Sequence, residues 1–373
     1  MSKAAELAKM GEVITNSQIG GRRNIVINGA MNVAQRSTSV TGLGAASGYF
    51  TLDRWQLTEG DASAGRLTMS QTSDGPNGVS ANCLKLDCTT ADTSIAAGEL
   101  LNIRQKIEGQ DLQSIGKGVT GAKEITVSFY VKASAAFNFI VELNDNDNSR
   151  QMSKLYATTT DWVRHELTFP ADVDDGSSPF GDDNAHSLNL AFWIHAGSTY
   201  TSGTLETSFA NTTNANRAAG ISSFFSSTDN NFFITGVQME VGSQATPFEN
   251  RSFGEELQLC QRYYEISYSY GTSEGANTSV GLITTDTMGG DTTTAYLTHQ
   301  LEYRVAKRAA PTLVFYDQAE ATGKVSSHVT GISIANGQTV SVEHASDKSV
   351  SMNRASGDAA NGFRFHYSAT SEL

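Results

Sequence analysis

Strand-length runs of alternating apolar and polar residues, separated by clusters of Gly, Asn, Asp and Ser, recur along almost the whole chain. In the run 125–132, apolar side chains share one face and mostly polar ones the other, and 137–143 and 188–195 show a similar alternation. A strand with one face on a core and the other in water has this two-residue period. The sequence therefore predicts an all-β fold.

The composition agrees with this fold class. Charged residues make up only 17% of the 373 residues, whereas a helical bundle needs many more Glu, Lys and Arg. The 39% apolar content is sufficient for packed cores. A formal charge of −13 argues against a nucleic-acid partner, because phosphate binding requires a basic surface. Since no apolar stretch is long enough to span a bilayer, we expect no membrane insertion.

Changes in the pattern divide the chain into three predicted parts. Residues 1–23 read as an N-terminal docking helix with a polar linker, and 24–250 as a large jelly-roll β-sandwich. Residues 251–373 read as a short connecting helix and a second, smaller β-sandwich. A Ser-x-x-Glu capping box places that helix at about 253–263. An unpatterned segment at 196–231 interrupts the large sandwich.

Strand signals occur throughout both sandwiches. In the large one they lie near 24–33, 50–57, 66–71, 83–88, 100–107, 124–132, 137–143, 162–169, 188–195 and 232–241. In the smaller one they lie near 264–270, 279–285, 294–303, 312–317, 325–334, 338–344, 349–353 and 363–369. Short strands with turn residues between them are typical of sandwiches.

The first residues form a weak amphipathic helix. Ala4, Leu7 and Ala8 have the spacing of one helical face, and Met10 adds an apolar side chain before a glycine. A helix of fewer than about a dozen residues is marginal alone in water. We therefore expect Ala4, Leu7, Ala8 and Met10 to dock on the body of the chain itself, on sister copies or on another protein.

The three cysteines predict reduced thiols. Cys83 and Cys88 fall on opposite faces of one strand, about 16 Å apart at 3.3 Å per residue, which prevents a disulfide. The third, Cys260, is far from both in sequence. The polar start of the chain is unlike a secretory signal. These features indicate a protein made in a cytoplasm.

No catalytic pattern is evident, so we expect neither an enzyme nor a cofactor. The histidines lack zinc-site spacing, and the nucleophile elbow and P-loop are absent from the sequence. Acid-rich loops at 144–148 and 172–183 supply the oxygen ligands that Ca²⁺ prefers. Because Asn and Asp also form turns, and the EF-hand pattern is not matched, turns are the favoured interpretation and Ca²⁺ the alternative.

Aromatic side chains on the face away from the core are the main indication of a ligand. Sugars are captured by aromatic rings beside amide, carboxylate or imidazole groups. Candidates of this type occur on the strand 188–195 and on its possible neighbours. The six candidate carbohydrate-binding residues are Tyr130, Asn138, Glu142, Asn189, Trp193 and His195. The alternative is that segment 196–231 or a sister subunit covers Trp193.

Several motifs resemble those of tailed-bacteriophage tail-fibre and virion structural proteins. They are RNIVINGAMNVAQR at 23–36, YFTLDRW at 49–55, QMEVGSQATPFE at 238–249 running into EELQLCQRYY at 255–264, and the ending YSATSEL at 367–373. QKIEG at 105–109 and ITVSF at 125–129 are similar to the middle of carbohydrate-binding jelly rolls. Together these stretches sample nearly the whole chain.

The resemblance implies a virion component, commonly a homotrimer, that docks through its N-terminus on other phage structural proteins. Its β-domains then face outward and contact host-surface polysaccharide. Such a protein is made in the host cytoplasm and released by lysis. A capsid cement protein, vertex fibre or tail connector with a purely structural role is the alternative. A glycan depolymerase is disfavoured, because the chain lacks the short repeats of a β-helix.

Overall fold

A computed structural model describes Lys3 and residues 22–61, 63–173, 179–286, 296–329, 332–355 and 362–373. The docking residues Ala4, Leu7, Ala8 and Met10 lie outside the described residues. The structure is all-β, as predicted. It divides into unit 1, which comprises residues up to Asn32, Thr38–Ser252 and Leu373, and unit 2, which comprises Val33–Ser37 and Phe253–Glu372.

Unit 1 is a sandwich of two six-stranded antiparallel sheets. Sheet A has the order β1 (Ser39–Leu43), β3 (Arg66–Thr72), β4 (Cys83–Thr90), β12 (Asn231–Val241), β6 (Ile125–Ala133) and β9 (Val163–Phe169). Sheet B has the order β11 (Ala210–Asn211), β8 (Arg150–Ala157), β7 (Asn138–Asp145), β10 (His186–Ala196), β5 (Leu100–Glu108) and β2 (Gln56–Gly60). A one-turn helix, α1 (Ser198–Thr201), follows β10.

The core of unit 1 is aromatic. Phe192 of sheet B packs edge-on against Phe129 of sheet A, with ring centres 5.0 Å apart. Trp55 lies 6.1 Å from Phe192 and is fully buried. Phe129 and Phe192 occupy apolar positions of the alternating pattern, so the inward face of their strands follows from the sequence.

The strand predicted at 24–33 is wrong. The segment is largely buried but irregular, because Asn28 and Met31 have φ values of 58° and 56°, a left-handed conformation that ends a strand. Asn28 is held by two hydrogen bonds: its Nδ2 donates to the Asp53 carbonyl, and its own carbonyl accepts from Trp55 Nε1. The sequence also does not predict β1, β8 and β11.

Unit 2 is a smaller β-sandwich, and its main segment begins with helix α2 (Phe253–Gln261), which lies where the sequence predicts a helix. One sheet has the order β13 (Tyr264–Ile266), β21 (Gly362–Thr370), β17 (Val325–Val329) and β18 (Ile332–Gln338); β14 (Ile283–Asp286) and β16 (Thr312–Tyr316) also pair with β21. The other has the order β15 (Tyr296–Glu302), β20 (Ser349–Ala355) and β19 (Ser341–Glu343). Both sheets contribute to one core around Met352 and Phe365.

Segment 33–37 is part of unit 2, although its neighbours in sequence belong to unit 1. Gln35 Nε2 donates to the Tyr264 carbonyl at 2.8 Å. The Arg36 guanidinium lies 3.6 Å from the centre of the Tyr264 ring and 3.3 Å from Glu372 Oε1. These contacts join three of the sequence motifs that are widely separated along the chain.

The cysteines agree with the sequence prediction, since all three are free and buried.

Across the described ranges, we find no helix with the length and apolar character needed to cross a bilayer.

Candidate functional site

Trp193 is buried. It lies on the face of sheet B that points away from the core, but only 1% of it is exposed. Tyr200 and Ala218, both from segment 196–231, pack in the same apolar cluster. The Arg217 guanidinium stands 4.9 Å above the indole ring. The structure therefore shows the alternative interpretation, in which segment 196–231 covers Trp193.

Glu142 links segment 196–231 to sheet B by hydrogen bonds. Its Oε2 accepts hydrogen bonds from Trp193 Nε1 at 2.9 Å and from Arg217 Nη2 at 2.8 Å, and its Oε1 accepts from Arg217 Nε at 2.7 Å. A bidentate arginine–carboxylate pair of this kind is strong and directional. Because the carboxylate is fully buried and engaged, Glu142 is structural and cannot contact a sugar here.

His195 does not share a face with Trp193. The register of β10 against β5 shifts between Trp193 and His195, so His195 pairs with Leu101, whose side chain is in the core. Its imidazole lies between Glu99 Oε2 at 3.1 Å and Ser223 Oγ at 2.8 Å. Burial lowers the pKa of His195. The bulge therefore removes this residue from the predicted face.

The other three predicted sugar-binding residues lie apart from one another. Asn189 is buried on the outer side of sheet B, and its Nδ2 donates to Asn144 Oδ1 at 3.2 Å. Asn138 is exposed at the start of β7, where its backbone N–H donates to Ser222 Oγ. Tyr130 lies in the opposite sheet, on β6 of sheet A. The six residues therefore do not form a single site in this structure.

A cluster of polar side chains lies on the outer side of sheet B, where β2 and β5 adjoin. Arg104 pairs across the strands with Gln56, and Asn102 pairs with Thr58. Since residues two apart on a strand face the same way, these four side chains share one face. We call Gln56, Thr58, Asn102 and Arg104 the polar face.

The polar face contains groups whose bonding capacity is not used. Arg104 Nε donates to Gln56 Oε1 at 2.8 Å. Asn102 is only 4% exposed, and its Oδ1 has no hydrogen-bond partner among the described residues. Thr58 Oγ1, next to it, is also buried and without a partner in that part of the chain. A buried polar atom normally has a partner, so this face is suited to a ligand rich in hydroxyl groups.

A second surface, on the outer side of sheet A, carries aromatic residues that sequence reasoning missed. Trp162 and Phe233 are half-buried, and Lys132 Nζ lies 5.2 Å and 4.7 Å from their ring centres. Lys132 is itself paired with Asp74 at 2.6 Å. The alternation within β12 could have revealed Phe233. Because its charge is paired and its rings are occupied by Lys132, this surface is the weaker candidate.

In the acid-rich loops, the described residues Asp145 and Asp172 are each paired with a cationic side chain. Asp145 accepts the backbone N–H groups of Asp147 and Asn148 and lies 2.8 Å from Lys117 Nζ. Asp172, in the second loop, is paired with Arg150 at 2.9 Å. In the part of the chain that the structure describes, no group of three His, Cys, Asp or Glu residues could hold a metal ion. Cationic side chains thus pair with Asp145 and Asp172, whereas Asp174 and Asp175 of the second loop lie outside the described residues.

His186, at the start of β10, makes the stability of unit 1 sensitive to acid. Burial, with the nearby positive charges of Lys106 and Arg104, lowers its pKa to about 4, against about 6.5 in an unfolded chain. The folded state therefore favours the neutral form. The contribution of His186 to the stability of the folded state is complete above pH 6.5 and is lost as the pH falls towards 4.

We expect this one group to remove about 2 kcal/mol of unfolding free energy between pH 7 and pH 4. Urea unfolding of the wild type and of His186→Gln, followed by tryptophan fluorescence at several pH values, measures the effect. The variant should lose less stability in acid than the wild type. Identical pH profiles would contradict the assignment.

No protein-family model matches this chain, and no curated protein does. Solved structures do match. One is the enzymatically active domain of bacteriophage CBA120 tailspike protein 4, with 12% identity and a TM-score of 0.30. The match covers 58% of this chain and 21% of that one, so the chain spans about a fifth of the tailspike domain's length.

Sugar-binding proteins match along nearly their whole length. TmCBM61, solved in complex with β-1,4-galactotriose, has 11% identity and a TM-score of 0.29, with 59% of this chain and 99% of that one covered. A putative sugar-binding protein from Bacteroides thetaiotaomicron has 12% identity and a TM-score of 0.30, with 59% and 100% covered.

Proposed function

We propose that this chain is a non-enzymatic bacteriophage virion structural protein, a fibre-like tail appendage whose large β-sandwich contacts host-surface polysaccharide. The virion assignment rests on the motif resemblance, which extends over nearly the whole chain. The N-terminal segment docks on other phage proteins, and the protein is a homotrimer.

The polar face of sheet B carries the glycan-binding part of the proposal. The observation that carries this part is that two neighbouring buried atoms, Asn102 Oδ1 and Thr58 Oγ1, have no hydrogen-bond partner among the described residues. Leaving such groups unpaired costs about 1–3 kcal/mol each. A sugar hydroxyl donates to an amide oxygen and also exchanges hydrogen bonds with a threonine hydroxyl. A polysaccharide laid along β2 and β5 would satisfy both.

Asn102→Ala tests this site. We expect the dissociation constant for a bound polysaccharide to rise about tenfold, because one hydrogen bond to the sugar contributes about 1–1.5 kcal/mol. A glycan array followed by calorimetry with the best-bound polysaccharide measures the change. The matched control is Asn77→Ala, which removes an exposed asparagine outside the polar face and should bind like the wild type. Equal binding by both variants would place the site elsewhere.

A purely structural role, as capsid cement or a tail connector, is the second candidate. The burial of Trp193 favours it, because the strongest predicted sugar contact is occupied within the chain itself. If the wild type binds no polysaccharide on the array, this role replaces the first. Copy number in purified particles, measured by quantitative mass spectrometry, then separates cement, with many copies per capsid, from a connector with few.

A further inference from the structure

Arg104 is a cation with unused hydrogen-bonding capacity on the outer side of sheet B. It lies in the middle of β5 and is half-buried. Its Nε is engaged by Gln56 Oε1 at 2.8 Å, whereas its two terminal nitrogens have no hydrogen-bond partner among the described residues. No carboxylate in those ranges lies within 4.0 Å to form an ion pair with it. A guanidinium presents these terminal donors as a planar fork.

The neighbours of Arg104 do not neutralise its charge. On the adjoining strand it pairs with Ala191, a buried apolar residue that carries no charge. Glu142, one strand further, is bound by Arg217 and Trp193. Lys106, two residues along β5, donates to the carbonyl oxygen of Leu373. This is a local cationic site on a chain whose formal charge is −13.

The type of anion follows from the number and shape of the free donors. One guanidinium fork matches the two oxygens of a carboxylate, with two parallel N–H···O bonds. A phosphate dianion would need a second free cation, and Lys106 and Arg217 are both engaged. The adjacent Asn102 oxygen and Thr58 hydroxyl are suited to the ring hydroxyls of the same sugar.

We infer that the polar face of sheet B selects an acidic polysaccharide, in which Arg104 binds the carboxylate of a uronic-acid-type residue while Asn102 and Thr58 bind its hydroxyls. This inference rests on the proposed glycan-binding function and specifies its substrate class. It makes Arg104 the residue that determines specificity.

The experiment compares polygalacturonate, alginate and hyaluronan, each in its native form and after chemical reduction of its carboxyl groups to alcohols. Affinity electrophoresis and calorimetry are run with the full chain at low and at about 0.15 M salt. We expect at least one native polymer to bind about tenfold more tightly than its reduced form, and the difference to shrink with salt.

Three variants test whether Arg104 is the residue that recognises the carboxylate. Arg104→Gln should abolish the preference for the native polymer while keeping the binding of its reduced form. Arg104→Lys keeps the charge but not the fork and should restore only part of the preference. Arg164→Gln, which removes a half-buried arginine from sheet A, is the matched control and should leave the preference unchanged. Thermal unfolding of each variant verifies that it is folded.

The outcomes separate the inference from the proposed function. Equal binding of native and reduced polymers, or a preference that survives in Arg104→Gln, overturns the acidic-sugar assignment and leaves glycan binding in place. Absence of binding to every acidic polymer, with neutral glycans bound on the array, does the same. Absence of binding to all glycans overturns both.

Discussion

Replacing Trp193 by alanine is expected to lower the free energy of unfolding of unit 1 by about 3–5 kcal/mol, the usual cost of deleting a large buried aromatic side chain. The substitution leaves a cavity beneath segment 196–231 and removes the hydrogen bond from the indole N–H to Glu142. It also removes the ring beneath the Arg217 guanidinium. Urea unfolding followed by circular dichroism and a fluorescence signal from the remaining tryptophans measures the loss.

The matched control is Trp162→Ala, which deletes a half-buried indole from the outer side of sheet A and should cost much less stability. The comparison also separates two interpretations of Trp193. A Trp193→Ala protein as stable as the wild type, but unable to bind polysaccharide, would show that the indole is a ligand contact and would contradict the covered position.

Lys307→Ala is expected to destabilise unit 2 by about 3–5 kcal/mol, because it breaks a buried ion pair and leaves one charge uncompensated. Lys307 Nζ lies 2.6 Å from Glu265 Oε2, and both side chains are fully buried. The same ammonium donates to the carbonyl of Gln261, so the loss also leaves the last residue of α2 without this partner. Burial lowers the pKa of Lys307, and the negative charge of Glu265 opposes that effect.

Differential scanning calorimetry and tryptophan fluorescence together give a clear readout of this variant. All three tryptophans, Trp55, Trp162 and Trp193, lie in unit 1. The fluorescence transition should therefore stay near that of the wild type while the unit 2 transition falls. Lys307→Met, which keeps most of the volume, tests whether lost charge or lost packing dominates; equal stability of Lys307→Met and wild type would show that the ion pair contributes little.

Much of the secondary structure could be predicted because the chain repeats one local rule. Strands β6, β7 and β10 and helix α2 lie close to their predicted positions, since alternation and a capping box act over only a few residues. The incorrect strand prediction at 24–33 also has a local cause. The side chains there are apolar enough for a strand, but Asn28 and Met31 adopt a left-handed backbone conformation that the residue types do not announce.

The candidate site was less predictable because it depends on which strands are neighbours. Tyr130 alternates correctly but lies on the other sheet, since strand order is set by long-range pairing. His195 is two residues after Trp193 and should therefore share its face of the strand. It lies on the opposite face, because a bulge between them reverses the alternation. Arg104 was missed since nothing in its local sequence shows that its fork is left without a carboxylate.

The sequence alone determined the all-β class, the inward face of most strands, the connecting helix and the free thiols, because these depend on residue periodicity and spacing. Only the tertiary structure decided that segment 196–231 covers Trp193 and that Arg104, Asn102 and Thr58 lie together on the outer side of sheet B. The physical reason is that periodicity shows which side of a strand faces the core. What lies against its other side depends on contacts between residues far apart in the chain.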